Sequence, residues 1–337
     1  MKIIFDLRSV GLGNNGGSST LVKSGNTLMD MGHDVYFVDS GKNQHKWTPL
    51  KAEHIIVSNR GNNKIPDADV IIATGYKSVG PTMRSPGRCG HKAHWIRAWE
   101  HWQMGEYAIV NKVLKAPTIK LVNSVCLEKK LKNHGFDSEI IYPGYDFEDL
   151  FPKNVRQKNK KIILGGLYRE GIHGQRKRTP WLYEVARYMK SRHKDVEFWL
   201  FGSENKPQGM LHDKYLRSPT IKQKNNFYNN VDIWMAPTMS EGLHLPPAEA
   251  MMTECPVVAT KAELSGVQDY IINDETGLLA NDDLRSFIRD VEHLYDHKIC
   301  RKRLGKAGKK RIDEIGDRKK NMQIMVDFFM GIINENI

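Results

Sequence analysis

Short apolar runs alternate with stretches of helical period along the whole chain. Lys2–Phe5, Asp34–Val38, Ile55–Val57, Val70–Ala73, Ala93–Arg97, Lys120–Asn123 and Glu139–Ile141 read as strands in the first half. In the second half, Ile162–Tyr168, Val196–Phe201, the apolar run Val231–Ala236 and Pro256–Ala259 do the same. Between them, Leu21–Met31, Ser124–Asn133, Trp181–Ser191 and Ala248–Met252 read as helices, and Leu284–Tyr295, Ile299–Ile312 and Lys319–Ile333 follow as three more. This alternation predicts an α/β protein with open sheets of parallel strands, whose ligands bind at the carboxyl ends of the strands. Lys153–Lys161 is basic, lacks an apolar pattern and reads as a linker between two domains.

The most informative stretch is Val231–Thr260, VDIWMAPTMSEGLHLPPAEAMMTECPVVAT. An apolar run stops at Pro237, a polar turn carries Ser240, Glu241 and Gly242, and Pro246 and Pro247 suit a first helical turn, where a missing N–H costs nothing. Such a turn leaves backbone N–H groups pointing outward, ready for an anion. Glu241 enters at the strand end and Glu249 lies within the first turns of the helix. Spacing alone does not separate this pair from two solvated glutamates.

The whole string is more specific. It resembles the donor-site signature of retaining glycosyltransferases of family 4, S-E-G-F-G-L-P-x-x-E-A-M followed by P-V-V-A. Ser240, Glu241, Gly242, Leu245, Pro246, Glu249, Ala250, Met251 and Pro256–Ala259 match it. Leu243-His244 replaces the usual aromatic-glycine pair, so a side chain stands where the family keeps the backbone bare. Glu254 replaces a glycine at the helix end, an ordinary C-cap position.

Other segments carry the resemblance outward. Gly16 and Gly17 match the family's glycine pair between the first strand and helix, near donor phosphates and acceptor. Ile141–Pro152 resembles the connector into the second domain, with Gly144, Asp146, Phe151 and Pro152 in place and Pro143 for the usual Asn. Ser265–Ile271 and Asn273–Leu279 resemble the segments G-x-P-E-V-V and D-G-x-T-G-L-L. The family holds the donor pyrophosphate with an Arg after the first strand of the second domain and a Lys at the head of the next helix. Lys177 matches the Lys; Gly166 stands for the Arg, leaving Arg169 or Arg176 to replace it. Cations beside a helix N-terminus suit a diphosphate leaving group. A histidine after an N-domain strand is also frequent, with His94 the first choice and His101 behind it. His94, Trp95, Trp99, His101 and Trp102 crowd that region, and they suit either stacking on a sugar or a buried aromatic cluster.

The resemblance implies a GT-B fold of two Rossmann-like β/α/β domains facing a cleft. These are an acceptor-side domain over 1–152, a nucleotide-sugar domain over 153–316, and a last helix, 317–337, crossing back to the first. It implies transfer of a hexose, with retention, from a nucleotide-diphosphate sugar to a glycan or other hydroxyl acceptor. GDP-mannose is favoured and UDP-glucose comes next, with no metal ion and no cofactor beyond the donor. Glu241 and His94 would be catalytic. Lys177, Arg169, Arg176, Gly242, Leu243, His244, Leu245, Glu249, Gly16 and Gly17 would bind the donor, Glu249 through the ribose hydroxyls.

Composition changes the picture at three points. The net charge of +12 on 337 residues admits a polyanion partner. The run Arg301–Arg311 reads as a solvated helical face, contact with an anionic membrane being the alternative; no nucleic-acid motif accompanies it and none is expected as partner. Cys89, Cys126, Cys255 and Cys300 lack metal-ligand spacing and suit reduced thiols, and the amino terminus reads as a strand rather than a signal peptide. A cytoplasmic protein, peripheral to a membrane or not, is expected, and an oligomer is compatible with the sequence. Gly11, Gly13, Gly16 and Gly17 do not keep the G-x-G-x-x-G spacing of a nicotinamide-dependent enzyme. Asp67 and Asp69 form a D-x-D without further metal ligands nearby. A GT-B sugar-nucleotide epimerase and a basic nucleic-acid-binding protein are the alternatives.

Overall fold

A computed structural model describes residues 1–13, 15–41, 48–57, 64–101, 104–153 and 161–335. Most of the expected linker Lys153–Lys161, and Trp102, lie outside the described residues. The chain divides into two compact units, Met1–Gly144 with Asp317–Ile337, and Tyr145–Gly316. Tyr145–Pro152, placed in the first domain from sequence, thus falls to the second. The backbone N–H groups of Phe151 within it and of Lys153 just after it donate to Asn225 Oδ1 at 3.4 Å and Asn229 Oδ1 at 2.6 Å, side chains of that unit.

The first unit is built on a seven-stranded parallel sheet ordered β3-β2-β1-β4-β5-β6-β7. Its strands are β1 (Lys2–Asp6), β2 (Asp34–Asp39), β3 (Glu53–Ile56), β4 (Val70–Ala73), β5 (His91–Ile96), β6 (Ile119–Val122) and β7 (Glu139–Ile140). β1 and β4 are apolar on both faces because helices cover both, as parallel sheets require. One face packs Ile3, Phe5, Phe37 and Trp95 against Met322, Met325, Val326 and Phe329 of the helix Arg318–Asn334. Trp95, a candidate sugar platform, is therefore core; it is fully buried and its Nε1 donates to the Ile141 carbonyl at 3.2 Å.

The second unit holds β8 (Ile162–Leu167), β9 (Val196–Gly202), β10 (Lys214–Arg217), β11 (Ile233–Ala236), β12 (Ser240–Glu241), β13 (Val257–Thr260), β14 (Leu264–Ser265) and β15 (Leu278–Ala280). Its six-stranded parallel sheet runs β10-β9-β8-β11-β13-β15, and β12 pairs with β14 apart from it. β8 and β11 meet with Leu164 opposite Ile233, at the point where strand order reverses, which is where open α/β sheets hold ligands. The helix Ile221–Asn230, not read from sequence, begins with a capping box between Thr220 and Gln223.

The chain passes between units at Gly144 and again at Gly316, and the Tyr145 N–H donates to the Gly316 carbonyl at 3.3 Å. Gly144 has φ +71, and a Cβ there would stand 2.4 Å from the Asp317 carbonyl oxygen and from Arg318 Cα. The buried Arg318 side chain donates in turn to the Pro143 carbonyl at 2.9 Å. Gly144→Ala is expected to cost about 2 kcal/mol or more, through strain and displaced backbone. Hydrogen exchange over Arg318–Asn334 measures this; unchanged protection would mean that the crossing carries no weight.

Much of the basic run Arg301–Arg311 is committed within its own unit. Buried Arg301 donates to the Tyr295 carbonyl at 2.6 Å, Arg303 pairs with Asp274 at 2.7 Å, and Lys309 pairs with Asp313 at 2.7 Å. Among the described residues no helix is long and apolar enough to cross a membrane.

Candidate functional site

A compact group of charges, Arg176, Lys177 and Glu241, sits beyond the carboxyl ends of β8 and β11. After β8 the chain makes a short helix, Gly171–Arg176, and folds back on itself at Gly174, where a Cβ would stand 2.3 Å from the Arg169 carbonyl oxygen. The Arg176 carbonyl accepts the Met239 N–H at 2.9 Å, which ties this loop to the turn that follows β11. Glu241, in β12, is thereby brought to the two cations that close the loop. Lys177 Nζ lies 2.8 Å from its Oε1 and the Arg176 guanidinium 3.4 Å from the same atom. β12 holds its place by pairing with β14 and by the seating of Gly266 on the Gly242 carbonyl, 1.8 Å from where a Cβ would be.

Burial alone would raise the Glu241 carboxyl, but Lys177, His244 and Arg176 outweigh it and bring it down to about 2. The carboxylate is ionised at neutral pH, and both cations keep charge beyond what one carboxylate neutralises. Because the folded carboxyl titrates below its unfolded counterpart, the cluster stabilises the fold above about pH 4.3, and that contribution fades as pH falls towards 2.

His244 occupies the position where the family pattern has glycine, and the backbone there has φ 59. It is the N-cap of the helix Leu245–Met252, whose first turn carries Pro246 and Pro247. Tyr270 fixes the strained turn by donating its hydroxyl to the His244 carbonyl at 2.7 Å. The His244 ring is 6% exposed and faces Lys177, Glu241 and Arg176. Burial first, then Lys177, lowers its pKa to about 3, so it is neutral. Two side-chain cations, a helix N-terminus and a neutral imidazole thus surround one carboxylate, and a helix N-terminus is favourable to anions.

Of the sequence candidates, Lys177, Arg176, Glu241, Gly242, Leu243, His244 and Leu245 come together here. Of the two arginines left open by the sequence, Arg176 reaches Glu241 at 3.4 Å, while Arg169 pairs with Glu204 at 2.6 Å. Glu249, further along the same helix, meets two partners that no motif marked. Lys224 Nζ donates to its Oε1 at 2.6 Å and the Tyr228 hydroxyl to its Oε2 at 2.8 Å.

The remaining candidates belong to the first unit. Gly16 and Gly17 open the helix Gly16–Asp30 behind the cap Asn15, and a Cβ on Gly16 would meet nothing within 4 Å. Arg97 spans this loop, donating to the Gly17 carbonyl at 2.6 Å and the Thr74 carbonyl at 2.9 Å. His94 lies inside β5 rather than after it, in register with Ala73 and Lys120. It is 3% exposed, and burial, reinforced by Lys120 and Arg97, lowers its pKa to about 3. Trp99 is buried and stacks on His134, so it is no open platform either. Asp67 pairs with Arg88 at 2.8 Å and Asp69 accepts the Lys2 N–H at 2.7 Å.

Residues 161–297 match the family model described as glycosyl transferases group 1. The matched stretch contains the whole Glu241 cluster and Glu249. A curated relative, the capsular polysaccharide biosynthesis glycosyltransferase CapM of Staphylococcus aureus, is 24% identical over 207 residues, 57% of this chain and 53% of that protein. The chain thus spans about half the length of that relative. Among solved structures, sucrose-phosphate synthase from Thermosynechococcus elongatus superposes with a TM-score of 0.78 at 14% identity, covering 99% of both chains. Anabaena HepE in complex with UDP and glucose gives 0.78 at 14% identity, covering 98% of this chain and 100% of that one. These likenesses show a GT-B fold, two units each built on a Rossmann-like parallel sheet.

Proposed function

We propose that this chain is a retaining glycosyltransferase that moves a hexose from a nucleotide-diphosphate sugar to a hydroxyl of a glycan or similar acceptor. The observation that carries the reading is the Lys177–Glu241–Arg176 cluster at the N-terminus of the helix Leu245–Met252, inside a glycosyltransferase domain. Lys177, Arg176 and the backbone N–H groups of Leu243–Leu245 would take the charge that builds on the departing diphosphate. Glu241 would hydrogen-bond the sugar ring and stabilise the positive charge developing at the anomeric carbon. The acceptor oxygen bonds to that carbon on the face the diphosphate leaves, the carbon–oxygen bond to phosphate breaks, and the acceptor's proton passes to the phosphate oxygen. The protein's own cations serve the leaving group in this scheme, so it includes no metal ion. Gly16 and Gly17 of the first unit would lie near the donor phosphates and the acceptor.

GDP-mannose is the donor favoured by the family pattern; HepE, solved with UDP and glucose, speaks for UDP-glucose. Calorimetric titration with UDP, GDP and ADP, then with the sugar conjugate of whichever binds, tests the reading. One nucleoside diphosphate is expected to saturate the protein. Glu249→Gln should weaken that binding by about 10- to 100-fold, as loss of a charged hydrogen-bond acceptor does, with little effect on turnover of the bound complex. Unchanged affinity would remove Glu249 from the ribose, and no binding by any nucleotide would sink the donor reading.

A further inference from the structure

Glu249 does not stand alone. Lys224 and Tyr228 are four residues apart on the helix Ile221–Asn230, so they share one face, and that face delivers both polar tips to one carboxylate. Tyr228 is fully buried, its ring packed 5.0 Å from that of Trp234, so its hydroxyl has a fixed position. Lys224 and Glu249 keep 19% and 18% of their side chains exposed, so the pair is not sealed from solvent.

We propose that Lys224 and Tyr228 are positioning residues of the nucleotide subsite, which aim the Glu249 carboxylate at the vicinal hydroxyls of a ribose. The inference rests on the donor reading above and deepens it. An ionised carboxylate offers about four lone-pair sites over two oxygens. Here one donor holds each oxygen, Lys224 on Oε1 and Tyr228 on Oε2. One donor on each oxygen leaves acceptor capacity on both, which is what two hydroxyls on adjacent carbons require. Burial, then the nearby Glu249 charge, pushes the Tyr228 phenol well above its ordinary value, so it stays a donor at all working pH. A carboxylate already anchored gives up no rotational freedom when the diol arrives, so affinity is gained without a new contact.

The test is calorimetric binding of UDP and GDP and of their 2′-deoxy counterparts to the full chain and to Tyr228→Phe and Lys224→Met. Tyr228→Phe keeps the ring and its packing, so it stays informative if the lysine variant folds poorly. For the nucleotide that binds, the full chain is expected to prefer ribose over 2′-deoxyribose by about 10-fold or more, the worth of one hydrogen bond to a charged group. Each variant should lower affinity for the ribonucleotide by about 10-fold and leave the 2′-deoxy nucleotide within about twofold, so that discrimination approaches one. A merely structural ion pair would weaken both nucleotides together, and that result, or no change in either, overturns the proposal. If the unaltered chain binds a nucleoside diphosphate without telling ribose from 2′-deoxyribose, Glu249 is not the ribose ligand and both readings fall together. If it discriminates and both variants discriminate equally well, only the role of Lys224 and Tyr228 falls.

Discussion

Replacing Lys177 by methionine is expected to cut turnover of the nucleotide-diphosphate sugar by two to three orders of magnitude, roughly the effect of removing one preorganised donor to a developing charge. Lys177 makes the shorter contact with Glu241, 2.8 Å against 3.4 Å for Arg176, and is the stronger of the two cations holding that carboxyl at about 2. Without it, burial acts on Glu241 with less opposition, and the carboxyl moves up towards the ordinary carboxylate range. The variant should therefore show both a low rate and an acid limb shifted to higher pH, while the unaltered chain holds its rate well below pH 4. Release of nucleoside diphosphate, with water as acceptor if no better one is known, reads both quantities. Arg169→Met is the comparison: Arg169 is occupied by Glu204, so less than about a tenfold loss is expected. Equal losses in the two variants, or full activity in Lys177→Met, would mean that the cluster holds the loop and does no chemistry.

The second large effect lies away from that site. Asp6 at the end of β1 and Arg8 are both fully buried and paired at 2.6 Å, with Arg8 also donating to the Pro81 carbonyl at 2.9 Å and Asp6 accepting the Thr82 hydroxyl at 2.8 Å. Arg8→Met leaves a carboxylate out of reach of water and without its counter-charge. Breaking such a pair typically costs about 3–5 kcal/mol. Hydrogen exchange in β1 and β4 should lose about two to three orders of magnitude of protection, while β8 and β11 keep theirs. Replacing both residues by apolar ones of similar volume should restore part of the loss. Uniform loss across both units would show that the effect is not local to this pair.

The two sites were not equally legible in the sequence. Strands such as Val70–Ala73 and helices such as Leu284–Asp296 follow from periodicity, because each buries a continuous apolar face. The Glu241 turn was legible because local sequence dictates it: a prolyl first turn, a small residue after the glutamate, and a strand on either side. Asp6 and Arg8 carry no such mark, for a D-x-R at a strand end is as often solvated as buried, and Pro81, Thr82 and Ser85 reach it from more than seventy positions away. Lys224 and Tyr228 were hidden in a polar segment whose helical character shows only in the Thr220–Gln223 cap. The pairing of Arg169 with Glu204 was not legible either, because the two are remote from each other in sequence. His94 matches a family pattern by position, yet alternation along β5 puts it within the sheet, where its neighbours rather than the motif decide its environment.

The helix Arg318–Asn334 supplies Met322, Met325, Val326 and Phe329 to a core whose other members begin at Ile3. During synthesis the ribosome therefore releases everything the second unit needs, Tyr145–Gly316, before the first unit has its last wall. The unit that begins the chain is the one that finishes folding, and until residue 329 emerges it exposes a strip of apolar sheet. Chaperone demand should accordingly fall on the amino-terminal half of the nascent chain, and a stop codon shortly before Arg318 should spoil the half that was translated first.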